Sequence, residues 1–242
     1  MKTFLLAAGY GTRLRPITET IPKCLVPIQG QPLLGWWFSL LRRHGVTEVL
    51  VNTHYLPEAV REFMAEYRKR DTGLIIHEAY EPQLRGSGGT IRENRAFVKD
   101  EDDFLICYAD NLTDANLTAF QAFHREHGGV LSMALFRTNV PEQCGIAEID
   151  EQHRVTSFVE KPEHPPSNLA NAGMYIANQR IFDFLDPDKP LLDFGRDVLP
   201  QLTGQMYGWH TQGYLRDIGT MENYLRANEE WFHDYHEDAV AD

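Results

Sequence analysis

The first residues that could do chemistry lie in a glycine-rich loop near the amino terminus. Gly9 and Gly11 follow a short apolar run, residues 3–7, which predicts a buried β-strand. Glycines here allow close backbone approach to a phosphate, and the N–H groups of such a loop can point at an anion. The loop lacks the Lys-Ser/Thr of a Walker motif, and Leu14 occupies the third glycine position of the dinucleotide fingerprint. On its own, a glycine pair more often marks a plain turn.

Two cations continue this loop. Arg13 and Lys23 lie on a stretch that contains Pro16, Pro22 and Pro27. A proline-stiffened loop fixes charged side chains at low entropic cost. The pair therefore suits a small phosphorylated ligand, and the alternative is that both are solvated loop charges.

Two aspartates stand at the ends of predicted strands. Asp110 follows a strand at residues 104–108, and Asp217 ends a strand at residues 214–217. Ligands of open α/β sheets bind beyond the carboxyl ends of the strands, where both carboxylates would lie. The alternative for Asp110 is a turn or N-cap aspartate, and Thr220 is the expected N-cap of the last helix.

The elements that position these residues alternate between strand and helix in the first half of the chain. This alternation predicts a mostly parallel sheet with helices on both faces. The strands are expected at residues 3–7, 46–52, 74–77 and 104–108, and the helices at 32–43, 57–69, 89–97 and 117–127.

In the second half of the chain, the pattern changes to strands separated by turn-sized gaps. This pattern predicts an inserted antiparallel or mixed β section. Its strands are expected at residues 131–137, 146–149, 155–160 and 172–177. Helices at 179–185 and 220–235 flank the final strand. His124 and His127, like His233 and His236, lack a third ligand and are interpreted as solvated helix faces.

Composition excludes several classes of protein. The 242 residues carry a net charge of -12, which disfavours nucleic acid and anionic membrane as partners. The longest nearly apolar run, residues 32–41, falls short of the roughly 20 residues of a membrane helix. Three scattered cysteines fit reduced thiols in the cytoplasm. Residues 229–242 form an acidic tail with six acids and no Lys or Arg.

The segment LAAGYGTRLRPITETIPKCLVPIQGQPLL, residues 6–34, resembles the signature of sugar-1-phosphate nucleotidylyltransferases, which make nucleotide sugars. Later segments match that family in the expected order. They are Gly86-Ser87-Gly88-Gly89, Asp110, Gly145, Glu160-Lys161-Pro162, Asn171-Ala172-Gly173 and Asp217-Ile218-Gly219-Thr220.

The resemblance implies an α/β fold with a mostly parallel, Rossmann-like central sheet and a β section on the sugar side. We expect one catalytic domain over residues 1–242, without the left-handed β-helix acyltransferase domain of some relatives. The implied reaction joins a nucleoside triphosphate to a sugar 1-phosphate and releases pyrophosphate. Trp36, Trp37 and Phe38 begin a helix, as core or as a contact between copies in a homo-oligomer.

The resemblance also assigns roles. Arg13 and Lys23 would hold the triphosphate, Asp110 and Asp217 would bind Mg²⁺, and Lys161 would hold the sugar phosphate. The implied nucleotide-binding residues are Leu6, Ala7, Ala8, Gly9, Gly11, Thr12, Arg13, Glu81, Gly86 and Ser87. The implied sugar-binding residues are Gly145, Glu160, Lys161 and Asn171.

The base is less determined. If Glu81 faces it, its carboxylate suits the paired N–H donors of guanine, whereas an amide at Gln83 suits uracil or thymine. We expect GTP with mannose or heptose 1-phosphate, with dTTP or UTP and a hexose 1-phosphate as the alternative. A catalytically silent regulatory subunit and a cytidylyltransferase for another phosphorylated alcohol are further alternatives. The complete set of charged residues disfavours the first, and the sugar-side motifs disfavour the second.

Overall fold

A computed structural model describes residues 1–70 and 73–231 of the chain. Most of the expected acidic tail, residues 232–242, lies outside the described residues, as do His233 and His236. In the described ranges, no helix has the length and apolar character needed to cross a membrane.

Strands and helices alternate from the amino terminus. The β-strands are β1 (Lys2–Leu6), β2 (Pro27–Ile28), β3 (Gln31–Pro32), β4 (Glu48–Thr53), β5 (Ile75–Tyr80), β6 (Asp103–Tyr108), β7 (Asn111–Thr113), β8 (Leu131–Arg137), β9 (Gly145–Ile149), β10 (Val155–Glu160), β11 (Leu169–Asn178), β12 (Met206–His210) and β13 (Leu215–Asp217). The α-helices are α1 (Leu33–Arg43), α2 (Pro57–Arg68), α3 (Ser87–Glu93), α4 (Leu117–His127) and α5 (Met221–Glu230).

A large mixed sheet forms the centre of the molecule, in the order β5-β4-β1-β6-β11-β8-β12. Strands β5, β4, β1 and β6 are parallel, and β12 is parallel to β8. Strand β11 runs antiparallel to β6 and β8, and its amino-terminal half also meets the antiparallel β9–β10 hairpin. The predicted mostly parallel sheet and its inserted antiparallel section are both confirmed.

The core lies on both faces of this sheet. Along β1, Leu5 packs into one apolar cluster, and Phe4 and Leu6 pack into the other. Trp37 of α1 belongs to the first cluster, and Ile91 of α3 belongs to the second. Successive side chains of a strand point to opposite faces, so a strand that is apolar throughout must be covered twice. Helices on both faces provide that cover.

The local signals placed most of the predicted elements within a few residues of their observed bounds. Helix α4 and strands β8 and β10 have the predicted bounds. The Asn116 side chain caps α4 by accepting from the Ala119 N–H, and Thr220 caps α5 by accepting from the Asn223 N–H. Strand β12 was not predicted, and the expected helix at 179–185 is a 3-10 helix, Gln179–Phe184.

The interpretation of His124 as part of a solvated helix face is wrong. The ring is only 2% exposed and lies 2.8 Å from the Ser132 hydroxyl and 3.2 Å from the Asp103 carboxylate. Burial lowers the pKa of His124, although Asp103 acts in the opposite direction. The imidazole therefore joins α4 to β6 and β8 inside the fold.

We predict that this histidine makes the fold less stable in mild acid. The pKa of His124 is lowered in the native state, so below its ordinary value of 6.5 the unfolded chain binds the proton more readily. Stability should fall from that pH until the native pKa is passed. In urea titrations at about pH 7 and about pH 5.5, His124→Gln should lose less free energy of unfolding than the wild type. Equal losses in the two proteins would refute this account.

Candidate functional site

The candidate site lies at the carboxyl edge of the parallel strands. A short antiparallel ribbon of β7 and β13 crosses this edge and pairs Asn111 with Asp217. The Ile218 N–H donates to the Asp110 carbonyl over 2.8 Å, which extends the ribbon. Two aspartates separated by more than one hundred positions are thereby brought side by side.

Lys23 joins these two carboxylates. Its Nζ lies 2.9 Å from Asp110 Oδ2 and 3.2 Å from Asp217 Oδ1, and the residue is only 7% exposed. Burial works to lower the pKa of Lys23, but the two carboxylates outweigh burial and the pKa is raised. The ammonium is therefore held charged between two anions.

Arg13 completes the charge cluster from the solvent side. Its Nη2 lies 3.8 Å from Asp217 Oδ2, and the guanidinium is largely exposed. Gly219 makes room for both groups, because a Cβ at this position would lie 2.6 Å from Asp217 Oδ2 and 2.9 Å from Arg13 Nη2. The glycine of the Asp-Ile-Gly-Thr segment thus serves close side-chain approach.

The two aspartates have the chemistry of a partial divalent-cation site. Burial raises the pKa of Asp217, and the adjacent Asp110 carboxylate raises it further, while Lys23 and Arg13 oppose them. The same two oxygens already hold one cation, the Lys23 ammonium. Among the described residues, no group of three His, Cys, Asp or Glu could hold a metal. A magnesium ion would fit here with oxygens of substrate and water as its remaining ligands.

The glycine-rich loop follows β1, whose last residue is Leu6, and opens toward the same edge. Gly9 is exposed, with open space where a Cβ would be. Gly11 has a φ of +64°, and its carbonyl accepts from the Thr18 hydroxyl over 2.8 Å. In the described part of the chain, the backbone N–H groups from Gly9 to Arg13 have no hydrogen-bond acceptor. An anion placed over the loop would provide one.

The loop is anchored at its first residue and buried at its second. The Ala7 N–H donates to Asn52 Oδ1 over 2.6 Å, and Ala8 is buried. Thr12 is exposed beside Arg13. The expected nucleotide-binding residues after β1 thus divide into an anchored start and an open end.

The second glycine cluster packs against the protein instead. A Cβ on Gly86 would lie 2.4 Å from the Leu192 carbonyl oxygen. That oxygen accepts from the N–H groups of Gly88 and Gly89, which belong to the first turn of α3. The Ser87 Oγ accepts from the Phe194 N–H over 2.8 Å. Leu192 therefore caps α3, and the glycines permit this close contact.

The structure places Glu81, one of the two candidates for the base contact, inside the protein. The residue is 2% exposed, and both carboxylate oxygens accept hydrogen bonds from the protein. These bonds turn Glu81 away from the surface. Gln83, the alternative, is exposed on the same loop.

The residues expected to bind the sugar lie on the inserted strands. Glu160 pairs with Gly145 in the β9–β10 ladder, and a Cβ on Gly145 would lie 2.6 Å from Glu160 Oε2. Burial raises the pKa of Glu160, with Lys161 opposing and Asp193 adding to the shift. Lys161 follows with a φ of +50° and is exposed.

Both side-chain hydrogen bonds of Asn171 are made within its own strand, β11. Its Nδ2 donates to the Tyr175 hydroxyl over 2.6 Å, and its Oδ1 accepts from the Gly173 N–H. The pairing of β11 with β8 shifts register between Asn171 and Tyr175. In this structure the amide holds the irregular turn of β11 beside the site.

Sequence reasoning missed several polar residues around the site. Asn52 is the penultimate residue of β4 and contacts Glu81, and Asp193 and Arg196 lie close enough to Glu160 to affect its pKa. A polar residue at the end of a buried strand was a usable signal for Asn52, because the carboxyl ends of parallel strands share an edge. Asp193 caps the short π-helix Phe194–Val198 by accepting from the Arg196 N–H, but no local signal places it beside Glu160.

Several known proteins resemble this chain in sequence. The nucleotidyl transferase family model matches residues 2–233. The chain is 33% identical to a mannose-1-phosphate guanylyltransferase of Mycobacterium tuberculosis, over 93% of this chain and 62% of that protein. It is 30% identical to a UTP–glucose-1-phosphate uridylyltransferase of Synechocystis, over 94% of this chain and 62% of that protein. The chain thus spans less than two thirds of these relatives.

A solved structure extends the likeness. The crystal structure of HddC from Yersinia pseudotuberculosis complexed with GMP-PN superimposes with a TM-score of 0.76 at 25% identity. The match covers 96% of this chain and 99% of that chain.

The two glycine clusters predict different effects of a glycine-to-alanine substitution on stability. Gly86→Ala should destabilise the fold by at least about 2 kcal/mol, because φ is positive and the new Cβ meets the Leu192 backbone. Gly9→Ala should leave the melting temperature unchanged, since nothing lies within 4 Å of its Cβ position. Thermal unfolding of both variants checks this, and equal shifts would contradict it.

Proposed function

Because the chain belongs to the nucleotidyl transferase family, we propose that it condenses a nucleoside triphosphate with a sugar 1-phosphate. An oxygen of the sugar phosphate forms a bond to the α-phosphorus of the triphosphate. The bond from that phosphorus to the bridging β-phosphate oxygen breaks, and pyrophosphate leaves with the electron pair. The products are a nucleotide sugar and pyrophosphate.

The observation that carries this proposal is the convergence of Lys23, Asp110 and Asp217 beside the open glycine-rich loop. Joining two polyanions requires orientation and charge neutralisation, and no enzyme nucleophile is needed. The free N–H groups from Gly9 to Arg13 would bind phosphate oxygens. Arg13 and Lys23 would neutralise the triphosphate.

Lys161 would hold the sugar phosphate on the opposite side. It directly follows Glu160, whose carboxylate lies between the backbones of Gly145 and Gly195. Carboxylate oxygens accept hydrogen bonds from sugar hydroxyls, and the two glycines leave room for the Glu160 carboxylate itself. We assign Glu160 to the sugar hydroxyls and Lys161 to the phosphate.

We further propose that the enzyme uses Mg²⁺ held by Asp110 and Asp217. The support is the pair of convergent carboxylates, which already hold a cation in the form of Lys23. When bound, the ion would neutralise phosphate charge and orient phosphate oxygens. Arg13, Lys23 and Lys161 supply the remaining positive charge from the chain itself.

For the base, we propose guanine, and for the sugar, mannose or heptose. The support comes from the guanylyltransferase relative and from the GMP-PN complex of HddC. Glu81 gives no support to guanine, because its carboxylate accepts hydrogen bonds inside the protein. The uridylyltransferase relative and the exposed Gln83 amide favour UTP as the alternative.

The test is a matrix of substrates. The protein is mixed with Mg²⁺, one of GTP, UTP, dTTP, CTP or ATP, and one of a panel of hexose and heptose 1-phosphates, and pyrophosphate is followed. We expect the highest turnover with GTP and mannose or heptose 1-phosphate. Asp110→Asn is the matched control and should abolish turnover while the circular dichroism spectrum stays unchanged.

Each outcome is informative. Turnover only with UTP or dTTP would move the assignment to the alternative base. No pyrophosphate from any pair would overturn the catalytic proposal. Near-normal turnover by Asp110→Asn would show that the aspartate has been given the wrong role.

A second prediction concerns competition for the two carboxylates. Two cations, Lys23 and Arg13, already balance Asp110 and Asp217, so a divalent ion gains little without a triphosphate. Lys23→Gln should therefore bind Mn²⁺ at least about tenfold more tightly than the wild type in the absence of nucleotide. Electron paramagnetic resonance of free Mn²⁺ measures this without turnover. Equal or weaker binding by the variant would contradict the competition.

A further inference from the structure

A buried chain of hydrogen bonds joins the glycine-rich loop to the loop that follows β5. The Ala7 N–H donates to Asn52 Oδ1 over 2.6 Å, and Asn52 Nδ2 donates to Glu81 Oε1 over 2.9 Å. The backbone donor at Ala7 can only meet the oxygen of the Asn52 amide. The orientation of this amide is therefore fixed, with its NH₂ group toward Glu81.

Glu81 collects further donors from its own loop and from α3. Its Oε1 also accepts from the Thr90 hydroxyl over 2.5 Å, and its Oε2 accepts from the Arg85 N–H over 3.1 Å. Asn52 and Glu81 are 5% and 2% exposed. Water cannot replace these bonds, so the carboxylate specifies the shape of residues 81–85.

A second link runs parallel to the first at the surface. The Tyr10 hydroxyl lies 2.9 Å from His54 Nε2, and His54 Nδ1 lies 2.7 Å from the Glu81 carbonyl oxygen. A neutral imidazole satisfies both contacts, with Tyr10 donating to Nε2 and Nδ1–H donating to the carbonyl. Asn52 and His54, at the end of β4, thus each connect the glycine-rich loop to the loop that follows β5.

We propose that Asn52 and Glu81 are positioning residues for the nucleoside triphosphate. They set the distance between the loop assigned to the phosphates and the loop that carries exposed Gln83, and they do so without touching the nucleotide. This inference rests on the proposed function, because it takes the space between these two loops as the nucleotide site. It gives the carboxylate at position 81 a role different from recognition of the base.

The test exchanges the hydrogen-bond donors and acceptors at positions 52 and 81. Glu81→Gln places an amide NH₂ against another donor, either the Asn52 amide or the Arg85 N–H. Asn52→Asp places a carboxylate against the Glu81 carboxylate. The double variant Asn52→Asp/Glu81→Gln restores the order. The new carboxylate at position 52 still accepts from Ala7 and also accepts from the new amide at position 81, whose oxygen accepts from Arg85.

The experiment measures equilibrium binding of GTP and UTP by calorimetry, with circular dichroism and thermal unfolding as checks of the fold. Each single variant should weaken binding of the preferred nucleotide about tenfold or more. The double variant should return to within about threefold of the wild type. In turnover assays, the KM for the sugar 1-phosphate should change less than about twofold in all three.

Glu78→Gln is the matched control, because it makes the same change on β5, three residues before Glu81. Glu78 pairs with Arg61 and Thr53, and the substitution should leave nucleotide affinity unchanged. If Glu81 contacted the base directly, the double variant would bind as weakly as Glu81→Gln, which would overturn the proposal. If a single variant unfolds, binding by the folded double variant still decides the question.

Failure of the proposed function is a separate result. Nucleotide binding without turnover by the wild type would refute the proposed reaction and leave the binding comparison valid. A wild type that binds neither nucleotide would overturn the positioning role as well.

Discussion

The site depends on the Lys23 ammonium, which is held between the Asp110 and Asp217 carboxylates. A buried ammonium is costly unless it is paired, and two adjacent carboxylates repel each other unless a cation lies between them. Each group therefore requires the other two. The consequence is that three loops from separate parts of the chain are held together before any substrate arrives. Groups that are arranged in advance in this way lose little free energy to reorganisation during a reaction.

The regular elements were predictable because their signals are local. Apolar patterns and the gaps between them placed α4, β8 and β10 at their observed bounds. Strand β12 was not predicted, because its residue types are determined by tertiary contacts. Gly208 at its centre reads as a breaker, yet a Cβ there would lie 2.4 Å from Leu135 Cδ1 of the neighbouring strand. The glycine is required by the close packing of β12 on the sheet, which no local pattern reveals.

The site was predictable in its residue types and only partly in its geometry. The charged residues were found from motifs, but Asp110 and Asp217 are brought together by the pairing of β13 with β7, a three-residue strand that was not predicted. Glu81 shows the opposite problem. Its loop reads as exposed and polar, but Asn52 and Thr90, from two other elements, supply donors that draw the carboxylate inside. Burial of a polar side chain depends on such partners, and they are distant in sequence.

Glycine has a different function in each of the two glycine-rich segments. This difference indicates which segment can bind an anion. At the second segment, the carbonyl of Leu192 occupies the first N–H groups of α3, so that helix has little left to offer a phosphate. At the first segment, the N–H groups from Gly9 to Arg13 have no acceptor in the described part of the chain. Free N–H groups, Arg13 and Lys23 are thus concentrated at the first segment. A triphosphate that binds to the first segment would place its phosphorus atoms beside Asp110 and Asp217. There Arg13, Lys23 and a bound Mg²⁺ would neutralise the phosphate charge.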